Sequence, residues 1–284
     1  MSHPDLSSHA YSFSVQTLPA IPIVPEVAQV YARFSALTSL AAERFSGELG
    51  GKLLLFAHID IHGAAVAIAG NIAGAATLGI DHDPERLKQG IHHGYCDFLV
   101  NHLDEALRTL KNEVRKKQPV SVCLNADFTL TLHEIVARGV QPDILAFETN
   151  SSAAQALLER GSIVLQDSED QTGSSPDVRP NASPNTGPNE LIAVNWTAKS
   201  AAALSLPKVD AIAAEVVPPN DPRQRWVKFA PRYLGRAMAG SRYLKMTPEE
   251  ADRFTNLVAE ATNSSKIPTD IAVTCESPKH EMGI

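Results

Sequence analysis

The sequence predicts a doubly wound parallel α/β sheet, and three observations carry that expectation. Short apolar runs alternate with helical periodicity from Lys52 to Leu165, the pattern of strands joined by crossover helices. The first run, Leu53-Leu-Leu-Phe56, shows no polar alternation, as a strand covered on both faces requires. Proline and glycine stand at the joints: Pro84 opens one helix, and Gly139 and Gly161 close two others.

Taken in order, residues 1–24 read as an arm with little periodicity. Pro25 opens a helix in which Val27, Val30, Tyr31, Phe34, Leu37, Leu40 and Ala41 recur at helical spacing to about Phe45. Gly47 and Gly50-Gly51 end it ahead of the first strand, Lys52–Phe56. The Ala/Gly segment from Gly63 is the next helix, and Gly70 and Gly74 leave one face bare for close backbone packing. Thr77–Asp81 is the second strand, after which Asp83 caps the helix that Pro84 begins. Leu103, Leu107, Leu110 and Val114 mark an amphipathic helix ending in Arg115-Lys116-Lys117, charges that suit a helix C-terminus. Val120–Leu124, Ile144–Phe147 and Ser162–Leu165 are the third to fifth strands, separated by helices over Leu130–Arg138 and Ala153–Arg160. A parallel pairing of Lys52–Phe56 with Thr77–Asp81 follows from the right-handed crossover between them.

Residues 166–190 contain four Pro and no apolar periodicity, so a flexible linker or loop is expected there. Leu191–Trp196 restarts as a strand. Ala198–Val217 reads as a helix interrupted at Pro207, and helices follow near Arg223–Met238 and Pro248–Ala261. The resulting division is an arm and helix over 1–45, a sheet domain over 46–165, the linker 166–190, a strand and helical part over 191–262 that completes the same domain, and a polar tail over 263–284.

With 284 residues, 44% apolar and 20% charged, the chain has the composition of a folded protein rather than a disordered or collagenous one. Its formal net charge of −7 and the lack of a nucleic-acid motif argue against nucleic acid as partner. Cys96, Cys123 and Cys275 lie too far apart for a disulfide framework or a Cys-based zinc site. With no secretory signal at the start, the expected location is a reducing, cytoplasmic compartment. Gly63–Ile80 is uncharged over 18 residues. Ala and Gly partition weakly into lipid, so it reads as a buried helix running into a buried strand, not as a membrane span. A homodimer is compatible with the sequence.

Residues 41–150 also carry a series of segments in a distinctive order: AAERFSGELGGKLLLF, AGAATLGIDHDPER, Gly94-Tyr95, LDEAL at 103–107, PVSVCL, HEIVARGVQPDIL and ETN at 148–150. Together they resemble the dinucleotide-binding domain of the urocanase (urocanate hydratase) family, over about 110 of the 284 residues. The resemblance implies a Rossmann-like domain, here with additional N- and C-terminal helices, that holds NAD. In that family of histidine metabolism NAD is tightly bound and acts as an electrophile, adding to an imidazole ring so that water can attack. Activity of this kind would make the chain a hydro-lyase. The parts of urocanases that build the substrate site around this domain are not recognisable here, which leaves catalysis open.

The matched region departs from the family at its cofactor loop. Where urocanases have GGLGGMGG, this chain reads Ala57-His-Ile-Asp-Ile-His-Gly63, and only Gly63 falls on a family glycine. Glycines there would let backbone N–H groups meet a pyrophosphate at a helix N-terminus, and Asp60 puts a negative charge in that place. The resemblance places Asp81 on a ribose hydroxyl and Arg86 of DPER on the cofactor. It aligns the family's Asn-Ala with Asp127-Phe128, or with a shift on Asn125-Ala126. It turns QTSAH into Glu148-Thr149-Asn150-Ser151-Ser152. The cofactor-binding candidates are therefore Gly63, Asp81, Arg86, Asn125, Asp127, Thr149 and Asn150, with NAD binding weakened.

Two local patterns offer other chemistry. If the strand pleat continues past Phe56, His58, Asp60 and His62 point the same way, a half-site for zinc or another divalent metal that Asp81, His82 or Asp83 could complete. Residues 221–245 hold seven Lys/Arg against one acid. Arg225, Lys228, Arg232 and Arg236 share one helical face, with Trp226, Phe229 and Tyr233 on another: a solvated face or a phosphate or carboxylate clamp. His92-His93 reads as an exposed helix end, Cys123 as a core residue, and Glu148 as a general base with no evident partner. The expected function is binding of an NAD-like nucleotide or related small anionic ligand at the carboxyl edge of the sheet. The alternatives are a metal-dependent enzyme built on His58, Asp60 and His62, and a non-catalytic subunit of a larger assembly.

Overall fold

The computed structural model describes residues 23–166, 191–235 and 237–276. The expected linker, apart from Gln166, and most of the expected arm lie outside them. Helix α1 (Val27–Arg44) leads into β1 (Leu53–Ala57), α2 (Ile61–Ala73), β2 (Ala76–Asp81), α3 (Pro84–His93), β3 (Phe98–Val100), α4 (Leu103–Lys116), β4 (Val120–Asn125), α5 (Phe128–Ala137), β5 (Ile144–Ala146), α6 (Ser152–Glu159) and β6 (Ile163–Val164). The six strands form one sheet in the order β3-β4-β2-β1-β5-β6, and every pairing in it is parallel.

The expected neighbours pair as the crossover requires, with Leu53 opposite Ala76 and Phe56 opposite Gly79. Alternation along β1 serves two separate cores. Leu54 and Phe56 face α1 and α2, whereas Leu53 and Leu55 join α4, α5 and α6 on the other face. This double coverage is why the run carries no polar residue. Glycines decide two close approaches. A Cβ at Gly70 would stand 2.6 Å from Thr77 Cγ2, and one at Gly79 would stand 2.4 Å from the ring of Phe56. Gly74, expected to bare the face of α2, instead ends that helix in the left-handed region at φ 99°.

The sheet has a strand that the sequence reading did not contain. Phe98–Val100 is only three residues long and pairs with β4 alone at the sheet edge. Too short to show a period, it lies between two clear helices.

The C-terminal residues do not extend the parallel sheet. They form β7 (Ile192–Ala198), a 3-10 turn (Ser200–Ser205), α7 (Leu206–Val216), α8 (Pro222–Tyr233), β8 (Ser241–Met246), α9 (Pro248–Asn263) and β9 (Ile271–Glu276). The three strands make an antiparallel sheet ordered β8-β7-β9. The polar tail expected after Asn263 thus contains a strand, and the basic segment contains another. Pro207 opens α7 instead of interrupting a helix, because its missing N–H costs nothing in a first turn. Pro231 lies within the last turn of α8.

The two parts share a core. Trp226 of α8 packs edge-on against Tyr31 of α1 at 5.0 Å and beside Phe34 at 5.2 Å. Two polar networks, one buried and one partly buried, hold the C-terminal part. Asp210 accepts from Trp196 Nε1 at 2.9 Å and pairs with Arg242 at 3.2 Å. Arg223 bridges Asp221 and Glu250, each at 2.6 Å.

Candidate functional site

The chain leaves β1 toward β2 on one side, and after β4 it crosses back to β5 on the other. The sheet order therefore reverses between the carboxyl ends of β1 and β5, where open α/β sheets bind ligands. A cleft of about 1330 Å3 opens there. Its floor is Ala57, Ala146, Phe147 and the edge residues Ile163–Gln166; α1 walls it with Arg33, Ser39, Glu43 and Arg44; and His58, Asp60 and Glu148 stand at the strand ends.

The loop after β1 is tightly anchored. His58 adopts φ 62° while its N–H donates to Ile80 O at 2.9 Å. Ile59 N–H donates to Asp81 Oδ2 at 2.7 Å. Asp60 caps α2, its carboxylate accepting from Gly63 N–H at 2.8 Å and its carbonyl from Ala64 N–H at 2.9 Å. Gly63 is required because the loop folds back on the helix: a Cβ there would lie 2.0 Å from His58 O.

These contacts bear on NAD. The anion position at the α2 N-terminus, where a phosphate would gain most from the helix dipole, is occupied by the chain's own Asp60 carboxylate. Gly63 serves contact with His58, not approach of a pyrophosphate. Asp81 is fully buried at 0% exposure. Its oxygens accept from Ile59 N–H and from Asp83 N–H at 2.9 Å, and Arg86 Nε lies 3.2 Å away. Arg86 Nε is equally 3.2 Å from Asp83; it is buried without an aligned hydrogen bond, so both contacts are ion pairs. Asp81 and Arg86 thus brace the loops of β1 and β2 in place of presenting groups to a ribose. The contacts that the urocanase resemblance implies for Gly63, Asp81 and Arg86 do not fit this geometry.

The remaining candidates are spread out. Exposed Asn125 donates to Asn101 Oδ1 at 3.0 Å. Asp127 caps α5 through Leu130 N–H at 2.8 Å. Thr149 O accepts from Gln155, and Asn150 is exposed. Asp83 caps α3; burial opposes its ionisation, but hydrogen bonds from the N–H groups of Arg86 and Glu85 and the charge of Arg86 outweigh this and hold its carboxyl below the ordinary value.

The strand continuation on which the metal expectation rested is corrected. The strand ends at Ala57, so no pleat carries through His58, Asp60 and His62. One lies in a left-handed turn, one is a helix cap and one is in the first turn of α2. Among the described residues no group of three His, Cys, Asp or Glu side chains is placed to hold an ion. Cys123 is core, as expected: a hydrogen bond with Cys96, together with burial, pushes its thiol well above the usual range. His93 stacks on Tyr95 at 5.7 Å, at the end of α3.

The sequence reading missed the aromatic pair Phe128–Phe147, whose centroids lie 4.9 Å apart, with His58 6.2 Å from Phe128. Each phenylalanine sits just beyond a strand end, a signal that could have marked them. It also missed α1 as a wall, since nothing in a helix preceding the first strand tells which sheet face it will flank.

A parallel, doubly wound sheet with helices on both faces and a cleft at its switch point defines a Rossmann-like protein. Residues 30–157, from α1 into α6, match the family model described as the urocanase Rossmann-like domain. The resemblance over residues 41–150 is borne out by that match. No helix among the described residues is long and apolar enough to cross a membrane.

Proposed function

We propose that the chain binds a small nucleotide-like or related anionic ligand in the cleft at the carboxyl edge of the parallel sheet. The observation that supports this most is the coincidence of a roomy cleft with the reversal of strand order. The anionic end belongs toward Arg33 and Arg44 of α1, a wall that also carries Glu43, and away from Asp60 and Glu148. An apolar ring can rest on Phe128 and Phe147. NAD itself binds weakly, because Asp60 already caps α2 and Asp81 is engaged within the fold. A hydro-lyase activity rests on the family relationship alone; Glu148 is exposed and has no hydrogen-bonded acid or base beside it among the described residues.

The test is identification by mass and absorbance of any small molecule that co-purifies, with calorimetry of NAD on the wild type, Asp60→Gly and Arg44→Glu. Asp60→Gly should tighten NAD, since it frees the helix N-terminus at a cost of only a few tenths of a kcal/mol. Arg44→Glu should weaken it. Tight NAD binding indifferent to both substitutions would place the ligand elsewhere.

A second reading, a subunit whose site another chain completes, draws on Ile61 and Leu130. They are 41% and 73% exposed at the N-termini of α2 and α5, on the same carboxyl edge. Light scattering of the chain alone against the chain with a candidate partner decides it.

A further inference from the structure

A second concavity lies between α7 and α8. It holds about 410 Å3, and its polar lining is Asp210, Gln224, Arg225 and Lys228. It adjoins the carboxyl end of α2, whereas the ligand cleft lies at that helix's amino end. Thirteen residues at 1.5 Å each put about 20 Å between them.

Arg225 is held in place from below. Its Nε donates to Ile72 O at 2.6 Å, near the end of α2. Its guanidinium rests over Gly74, where any Cβ would come within 2.5 Å of Nη2. Its Cζ lies 4.8 Å from the ring centroid of Phe229, and Lys228 Nζ lies 5.3 Å from the same centroid. Two cations therefore share one aromatic ring.

Neither has a carboxylate within ion-pair distance among the described residues. Other cations of this part do: Arg223 is paired with Asp221 and Glu250, Arg242 with Asp210, and Arg253 with Glu215. The groove's own carboxylate, Asp210, is engaged by Trp196 and Arg242. Burial holds the Arg225 guanidinium below its ordinary pKa, and Glu48 acts on it only at longer range. Two like charges on one ring repel, and a multiply charged anion between them removes that repulsion.

We infer that the α7–α8 groove is an anion site for a phosphate group, held by the fixed guanidinium of Arg225 and the movable ammonium of Lys228. Its size suits a phosphate or a phosphomonoester of a small sugar and excludes a folded partner. The inference is independent of the carboxyl-edge reading.

The experiment titrates inorganic phosphate, and separately ribose 5-phosphate, into the full chain at constant ionic strength. Calorimetry is read alongside the NMR signal of the Arg225 Nε–H. Saturable binding that shifts this signal is expected. Lys228→Gln should weaken binding about tenfold while leaving the Tm without phosphate unchanged, because Lys228 is exposed. Lys88→Gln, which removes one exposed charge elsewhere, should bind as the wild type does. Tighter binding of ribose 5-phosphate assigns the site to a phosphomonoester, and equal binding assigns it to free phosphate. No saturable binding of either, an unmoved Arg225 signal, or equal losses in both lysine variants would overturn the inference.

Discussion

Replacing Asp81 with asparagine removes a charge from a fully buried carboxylate that accepts two backbone N–H groups and faces Arg86. The expected cost is about 2 kcal/mol, in the range of hydrogen bonds to charged groups, read as a lower urea midpoint with an unchanged m-value. Any loss of ligand binding in this variant should follow the loosened loop after β1. Full stability in Asp81→Asn would refute the bracing role. Gly63→Ala should be worse, since its Cβ would collide with His58 O and neither backbone can yield without moving the start of α2. His58, in contrast, holds a left-handed conformation that glycine adopts freely. His58→Gly should therefore leave stability unchanged within about 1 kcal/mol, measured by the same denaturation.

At the scale of elements, the C-terminal helices are joined by one guanidinium. Arg223 in the first turn of α8 pairs with the cap residue Asp221 and takes Glu250 of α9 in a two-pronged bond; Glu250 also closes the capping box at Thr247. Arg223→Met should cost about 2 kcal/mol, less than for a fully buried pair because the partners keep some solvent contact. Burial opposes ionisation of Asp221, but the hydrogen bonds and charge of Arg223 outweigh it and hold the carboxyl below its ordinary value. The folded chain thus keeps this carboxylate ionised to lower pH than the unfolded chain does. The stability so gained is present above the unfolded value of about 4 and is lost as pH falls through the folded one. Denaturation between about pH 5 and pH 3 should show a shallower fall in Arg223→Met than in the wild type. Equal slopes would mean that other carboxylates carry the acid sensitivity.

Across the whole molecule, one apolar cluster runs from Phe34, Phe56 and Ile68 beside the parallel sheet to Trp196, Trp226 and Phe254 of the C-terminal part. Each large side chain buried there contributes about 2 kcal/mol, and neither part keeps its share without the other. Calorimetry should therefore show a single cooperative transition. Two transitions would mean that the parts fold as separate domains. A ligand bound in the cleft should raise that one transition as a unit.

The strands Leu53–Ala57 and Ala76–Asp81, their parallel pairing and the helix ends marked by Asp83, Gly139 and Gly161 follow from local chemistry: unbroken apolar runs, a proline-led first turn, and glycines at positive φ. The likeness to the urocanase Rossmann-like domain was legible for the same reason, as residue strings in order. The site was not. Asp81 reads identically whether its oxygens face a ribose or the N–H groups of Ile59 and Asp83, and only the path of the loop after β1 turns it inward. His58, Asp60 and His62 read as one row only while the strand continues; the structure ends it at Ala57 because α2 begins with Asp60 as its cap. Phe98–Val100 stayed hidden because three residues are too few to show a period, and Ser241–Met246 and Ile271–Glu276 because their partner strand is distant in sequence and their side chains are mixed in polarity. Local sequence determined the sheet and the helices that cross it. Which carboxylates brace the fold, which cations among the described residues stand without a carboxylate and where the cleft opens were decided by contacts between residues far apart in the chain, which no periodicity records.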